Sequence, residues 1–306
     1  MKYFFCILLL CASFKIKAQN DNKPFILTLG IAQDGGYPHM GCTRPCCTLA
    51  WSNDSLKRWV VCLALVDPAT KKWWLFEATP DIKDQLHYFQ TLTHGQYPFL
   101  PDGIFVTHAH IGHYTGLMEL GREVMSTKDL PVYALPKMKT FLETNGPWSQ
   151  LVSLNNIAIQ PIQADSLIHL TDKISVTAFT VPHRDEYSET AGFRINTVDK
   201  KYLFIPDINK WDKWSRNIVD EVKQVDVAFV DATFNDSNEL PGRNMSTVPH
   251  PLVSETMKLF ENESAATKAK VCFIHFNHTN PLLWDAAKRK EVEKAGFNFA
   301  KQGKEY

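Results

Sequence analysis

The chain of 306 residues has no excess of either charge, with 33 Lys plus Arg against 33 Asp plus Glu. Binding to nucleic acid by phosphate neutralisation needs a basic field, and the chain as a whole has none. Glycine (14) and proline (17) are at ordinary counts, which excludes collagen-like and low-complexity chains. Beyond residue 18 no stretch approaches the roughly 18 uncharged apolar residues of a membrane span, so no span is expected in the rest of the chain. Cysteine is scarce: Cys6 and Cys11 lie in the first 18 residues, and Cys42, Cys46, Cys47, Cys62 and Cys272 lie beyond them. An odd number argues against a simple disulfide framework.

Apolar residues make up 44% and aromatic residues 12%, enough for the core of a large domain. The first residues read as a separate object. Lys2, an apolar run over residues 4–14 and the small Ala18 before Gln19 have the form of a signal peptide. The expectation is a signal peptide over 1–18, a single domain over 19–306, and an exported protein, periplasmic or secreted. Strands are expected at 25–32, 59–66, 73–78, 104–107, 132–135, 174–181, 190–195, 202–205, 227–231 and 271–275, because these runs are rich in Val, Ile, Phe and Trp and are punctuated by Gly, Pro or Asp. Helices are expected at 114–125, 136–143, 251–261 and 283–294. Helices set between strands make this an α/β chain.

The strongest chemical signal is His108-Ala109-His110-Ile111-Gly112-His113, directly after a strand. In HxH spacing both imidazoles project to one side of an extended segment. The third folds back as a helix begins, and three neutral imidazoles suit zinc. His183, Asp207, Asp231, His275 and His278 follow other apolar strands, so more than one metal could be supplied with nitrogen and oxygen ligands. His39, His87, His94 and His169 read as ordinary surface or core residues.

With these residues in place the chain resembles the metallo-β-lactamase superfamily, whose first motif is HxHxDH. The resemblance implies an αββα sandwich. It also implies that His108, His110 and His183 hold one zinc, that His113 and His275 belong to a second, and that Asp207 bridges them. Gly112 stands where the family has an aspartate, so the second position is expected to be weakened, lost, or completed by His278, Asp185 or water. Gly112→Asp is then expected to tighten it. Further landmarks resemble the subgroup around pyrroloquinoline-quinone biosynthesis protein B: Gly35-Gly36-Tyr37-Pro38, Thr79-Pro80-Asp81-Ile82, Asp231-Ala232-Thr233-Phe234, Gly242-Arg243 and the run from His275 to Pro281. That subgroup is also similar to phosphodiesterase-type members, which implies a histidine near His250 acting as general acid.

Relatives carry a cysteine-bound zinc after the first strand, spaced C-x-C-x2-C. Here Cys42 and Cys47 keep the outer spacing, Arg44 takes the middle place and Cys46 is extra. Cys42, Cys46 and Cys47 are therefore a candidate structural zinc site with His39 as the fourth group; the alternatives are a disulfide from Cys42 to Cys46 or Cys47, and free thiols. For the main site the expectation is a zinc-dependent hydrolase of a small-molecule phosphodiester or other ester. Asp207 orients water and His250 or His278 protonates the leaving oxygen. Arg58, Arg184 and Arg194 are candidate anion contacts. Iron or manganese is the alternative metal. A cofactor-pathway oxidoreductase or carrier is the alternative function, and β-lactam hydrolysis a further one. No nucleic-acid partner is expected.

Overall fold

The computed structural model describes residues 22–306, so the segment read as a signal peptide lies outside the described residues. The described chain forms two sheets. The first has the order β1 to β6: β1 Phe25–Gly30, β2 Cys62–Asp67, β3 Lys72–Phe76, β4 Gly103–Phe105, β5 Leu130–Ala134 and β6 Ile157–Pro161. The second runs from β7 to β13: Leu167–Thr171, Ile174–Val181, Thr190–Thr197, Lys201–Ile205, Val227–Asp231, Val271–Ile274 and Asn298–Phe299. In the first sheet β2 is antiparallel to β1 and β3, and the strands from β3 to β6 are parallel. In the second, β7 and β9 are antiparallel to β8, and β10 to β13 are parallel to one another and to β8. Every strand later found to lead into the site thus shares its sheet's majority direction.

The helices are α1 Pro45–Trp51, α2 Ile82–Leu92, α3 Ile111–Tyr114, α4 Pro136–Thr144, α5 Trp148–Ser153, α6 Ile218–Lys223, α7 Val253–Leu259, α8 Ala265–Lys268 and α9 Ala286–Lys294. Strand β2 shows why the layers form. Its residues are buried on both faces. Leu63 and Leu65 join the core between the sheets, while Cys62, Ala64 and Val66 alternate to the other face and pack with Ile82, Leu86 and Phe89 of α2. Burial on both faces requires covering layers on both sides, which is the αββα sandwich.

Aromatic rings join the sheets. Phe76 stacks on Phe105 at 4.8 Å, and Phe105 stacks on Tyr133 at 4.3 Å. Phe193 of the second sheet meets Phe76 edge-on at 5.3 Å and Phe105 at 5.5 Å. These contacts add to the area term of burial.

The helix expected over 114–125 is instead the single turn α3 followed by a 3-10 segment, Thr115–Leu120. Gly116 lies against the chain at residues 78 and 79, where an added Cβ would stand 2.1 Å from Thr79 O. A longer helix would have to leave that contact. Helix α2 was not expected, because its apolar face is narrow. Nor were β6 and β7, half-exposed strands at the sheet edges with little alternation. Among the described residues no helix is long and apolar enough to cross a membrane.

Phe105→Ala should remove the ring that joins three aromatic neighbours and destabilise the protein by about 3–5 kcal/mol. Urea unfolding measures this, and a loss below about 1 kcal/mol would show that the rings do not hold the sheets together.

Candidate metal centre

The histidines and carboxylates come from strand ends. His108 and His110 follow β4, His183 follows β8, Asp207 follows β10, Asp231 ends β11 and His275 follows β12. Two residues not singled out in the sequence join them: Asp34 after β1 and Glu77 after β3. Glu77 and His275 have φ of 80° and 67°, a left-handed backbone that non-glycine residues adopt at a cost.

Four groups converge on a first position. His108 Nε2 stands 3.4 Å and His183 Nε2 3.1 Å from Asp207 Oδ2. His110 Nδ1 stands 2.8 Å from His108 Nε2 and 3.3 Å from His183 Nε2. Ligand atoms about 2.0–2.1 Å from a tetrahedral ion lie about 3.3–3.4 Å apart, so the spacing suits one metal. Burial and the neighbouring His113 hold His108 well below the usual imidazole range, and burial lowers His110, so both are neutral donors.

Hydrogen bonds behind the rings set their tautomers. Thr107 Oγ1 donates to Glu77 Oε1 at 2.7 Å and so accepts from His108 Nδ1 at 2.8 Å. His113 Nδ1 donates to Glu77 Oε1 at 3.1 Å. Thr233 Oγ1 donates to Asp231 Oδ1 at 2.7 Å and accepts from His275 Nδ1 at 2.9 Å. With Nδ1 bonded on each ring, Nε2 is the atom that His108, His113 and His275 present to a cation. Burial works to lower His113, but Glu77 and Asp34 carry it well above the usual imidazole range, so a cation there displaces a proton.

A second cluster is Asp34, His113 and His275. Asp34 Oδ1 stands 3.1 Å from His113 Nε2 and 3.7 Å from His275 Nε2, and Asp207 Oδ2 is 3.8 Å from His113 Nε2. Asp34 Oδ1, His113 Nε2 and His275 Nε2 are buried and none makes a hydrogen bond. Orphaned donors and acceptors of this kind are rare in folded proteins and fit a cation between them. The groups proposed from sequence to complete this position are elsewhere. Asp185 is exposed, 4.0 Å from Lys137 Nζ, and His278 lies with the cysteines. Gly112→Asp would not restore a ligand, because a Cβ there would stand 2.3 Å from Asp34 Oδ1 and 2.5 Å from Asp34 Cα.

His250 does enter the centre. Its Nδ1 is 3.1 Å from Asp207 Oδ1 and 3.0 Å from Asp231 Oδ2. Burial works to lower it, but the two carboxylates carry it up to about 10. His278, the other candidate acid, is corrected. Its Nδ1 stands 3.4 Å from Cys47 Sγ and 4.0 Å from Cys46 Sγ, in a Cys42, Cys46, Cys47, His278 group. Cys42 and Cys46 sulfurs are 3.8 Å apart and the three thiols are free. Thiolates about 2.3 Å from zinc stand about 3.8 Å apart, so this group has the dimensions of a Cys3His zinc site. His278 takes the fourth place expected of His39, whose ring stacks on it at 4.5 Å.

Of the three arginines, Arg184 is at the centre, with Nη2 3.5 Å from His110 Nδ1. Arg194 pairs with Glu221, and Arg58 donates to Ser55 O and Lys57 O in a separate cavity. The residues missed, Asp34, Glu77, Thr107 and Thr233, obey the same rule as those found. Each lies at or just beyond a strand end.

A family model described as a β-lactamase superfamily domain matches residues 72–276, and the chain belongs to the metallo-β-lactamase superfamily. Coenzyme PQQ synthesis protein B from Gluconobacter oxydans (strain 621H) is 26% identical over 303 residues, covering 91% of this chain and 96% of that protein. The protein of the same name from Methylorubrum extorquens (strain PA1) is 25% identical over 304 residues, with 91% and 98% covered. Among solved structures, zinc-bound PqqB from Methylobacterium extorquens shares the fold with a TM-score of 0.74 at 22% identity, covering 92% of this chain and 99% of that one. A diphosphatase from the PhnP family shares it at 0.66 and 18%, with 93% and 96% covered.

Cys46→Ser and His278→Ala should each lose one metal equivalent and lower the melting temperature. Metal bound by the histidine cluster should remain. Metal analysis with thermal unfolding checks this, and unchanged metal content in both variants would show that the group holds no ion.

Proposed function

We propose that this protein is a metal-dependent hydrolase of a small-molecule phosphodiester or other ester. The observation that carries the reading is the convergence of His108 Nε2, His110 Nδ1, His183 Nε2 and Asp207 Oδ2 on one point, with the charged His250 beside them. These residues suit zinc, with iron or manganese as the alternatives that metal analysis separates. A metal held there supplies Lewis acidity, which polarises the bond under attack and brings the acidity of water toward neutral pH.

The chain's own groups do the rest. Asp207 Oδ2 stands between the two clusters, fixes the rings around it and offers an oxygen to a proton released there. His250 holds a proton between Asp207 and Asp231. A cation held by Asp207 would offset one of the carboxylates that retain that proton and would bring His250 toward the range of a useful general acid. Arg184 at the mouth offers a charge to an anionic substrate. The likeness to a diphosphatase of the PhnP family supports a phosphorus ester.

A second reading has its own support. The relation to proteins named for coenzyme PQQ synthesis covers 91% of the chain, which favours a cofactor-pathway oxidoreductase or carrier. Iron in the purified protein with no turnover of esters would select that reading, and turnover of nitrocefin would select a β-lactamase.

His110→Ala should lower metal content and hydrolysis of bis-p-nitrophenyl phosphate or p-nitrophenyl esters together. Asp207→Asn should lower activity more than metal content. His250→Gln should lower kcat by about 100-fold or more while metal stays bound. His169, on the exposed β7, should tolerate Ala with metal and rate unchanged. Full zinc and full rate in His110→Ala would sink the reading.

The apolar run before Ala18 supports export to the periplasm or beyond. N-terminal sequencing of native material should begin near Gln19, and an intact Met1 on cytoplasmic protein would refute export.

A further inference from the structure

We infer that Asp34 is a metal ligand of the second position, supplied by the turn after β1 because the helix residue beside it, Gly112, carries no side chain. The inference rests on the metallohydrolase reading and names a residue that neither the HxHxxH motif nor spacing along the chain points to.

Four observations carry it. First, Asp34 occupies the volume a side chain at 112 would need, and the overlap includes backbone. A Cβ on Gly112 would meet Asp34 Oδ1 at 2.3 Å and Asp34 Cα at 2.5 Å. The two positions therefore exclude one another, and one carboxylate reaches the site by one route only. Second, Asp34 Oδ1 lies within 3.7 Å of the Nε2 atoms of both His113 and His275, yet it is buried without a hydrogen bond. A carboxylate oxygen placed there for structural reasons alone would be expected to have a donor. Third, the turn is built to hold its place against His275. Gln33 N donates to Phe276 O at 2.9 Å, Phe276 N donates to Ile31 O at 3.0 Å, and Ala32 bridges to Phe276. Two donors on separate strands are thus fixed relative to each other before any ion arrives. Fourth, the donor set suits a cation. Asp34 adds a carboxylate to the imidazoles of His113 and His275, with Asp207 Oδ2 of the first position 3.8 Å from His113 Nε2, and this mix of nitrogen and oxygen suits zinc or an ion of somewhat greater hardness.

The test uses the full chain, stripped of metal and titrated with zinc, with bound metal counted after dialysis. Asp34→Asn keeps shape and removes charge. It should hold one equivalent fewer than wild type, or bind that equivalent about 100-fold more weakly, the upper end of what outer-sphere changes cause. The melting temperature of the metal-free variant should match metal-free wild type, which separates ligand loss from misfolding. Gly112→Ala removes no ligand but places a Cβ against Asp34, so it should lose the same equivalent by displacing the turn; its retention in a folded variant counts against the inference. His110→Ala separates the two ideas. If it loses metal and Asp34→Asn loses none, the Asp34 assignment falls alone. If His110→Ala also keeps the wild-type count, the hydrolase reading falls and this inference with it.

Discussion

One buried carboxylate organises the centre. Asp207 reaches His108, His183 and His113 through Oδ2 and His250 through Oδ1, and the four rings come from three separate parts of the chain. A charge with so little access to water is stable only if compensated, and breaking a buried pair costs about 3–5 kcal/mol. The chain resolves this by surrounding Asp207 with imidazoles, of which His108 is tied to Glu77 through Thr107, His113 to Glu77 directly and His250 to Asp231. The strand ends must therefore meet at one edge, and the parallel strands of both sheets satisfy that demand.

Much of this was legible in the sequence because strands and histidines leave strong marks. Residues 174–178 alternate apolar with polar and open β8 as expected, and the HAHIGH run after a strand marks the centre. What failed to show has a common physical cause. Strands β6 and β7 are edges with little buried area, so their patterns are weak. Helix α2 buries Ile82, Leu86 and Phe89 within a mostly polar sequence. The helix expected after His113 ignored Gly116, whose close approach to residues 78 and 79 is a tertiary fact.

The same distinction holds within the site. Gly112 marks the missing carboxylate within its motif, but the motif holds no trace of the replacement, since Asp34 lies 78 residues earlier in the chain. His278, expected as an acid or as a group completing the second position, follows His275 by three residues. In the structure that short spacing separates two environments, one lined by imidazole and carboxylate, the other by thiol. Position along a chain fixes neighbours only until the backbone turns.

The turn between His275 and His278 has a consequence for how the protein ages. The cysteine group takes Cys42, Cys46 and Cys47 from the segment that begins at Asp34, and His278 from the segment that begins at His275. It clasps together the two loops that carry those residues. Oxidation of one thiol would open the clasp and leave every residue of the histidine cluster chemically intact. Such damage would register as slackness in the loops of Asp34 and His275, while the rings on the far side of Asp207 kept their places.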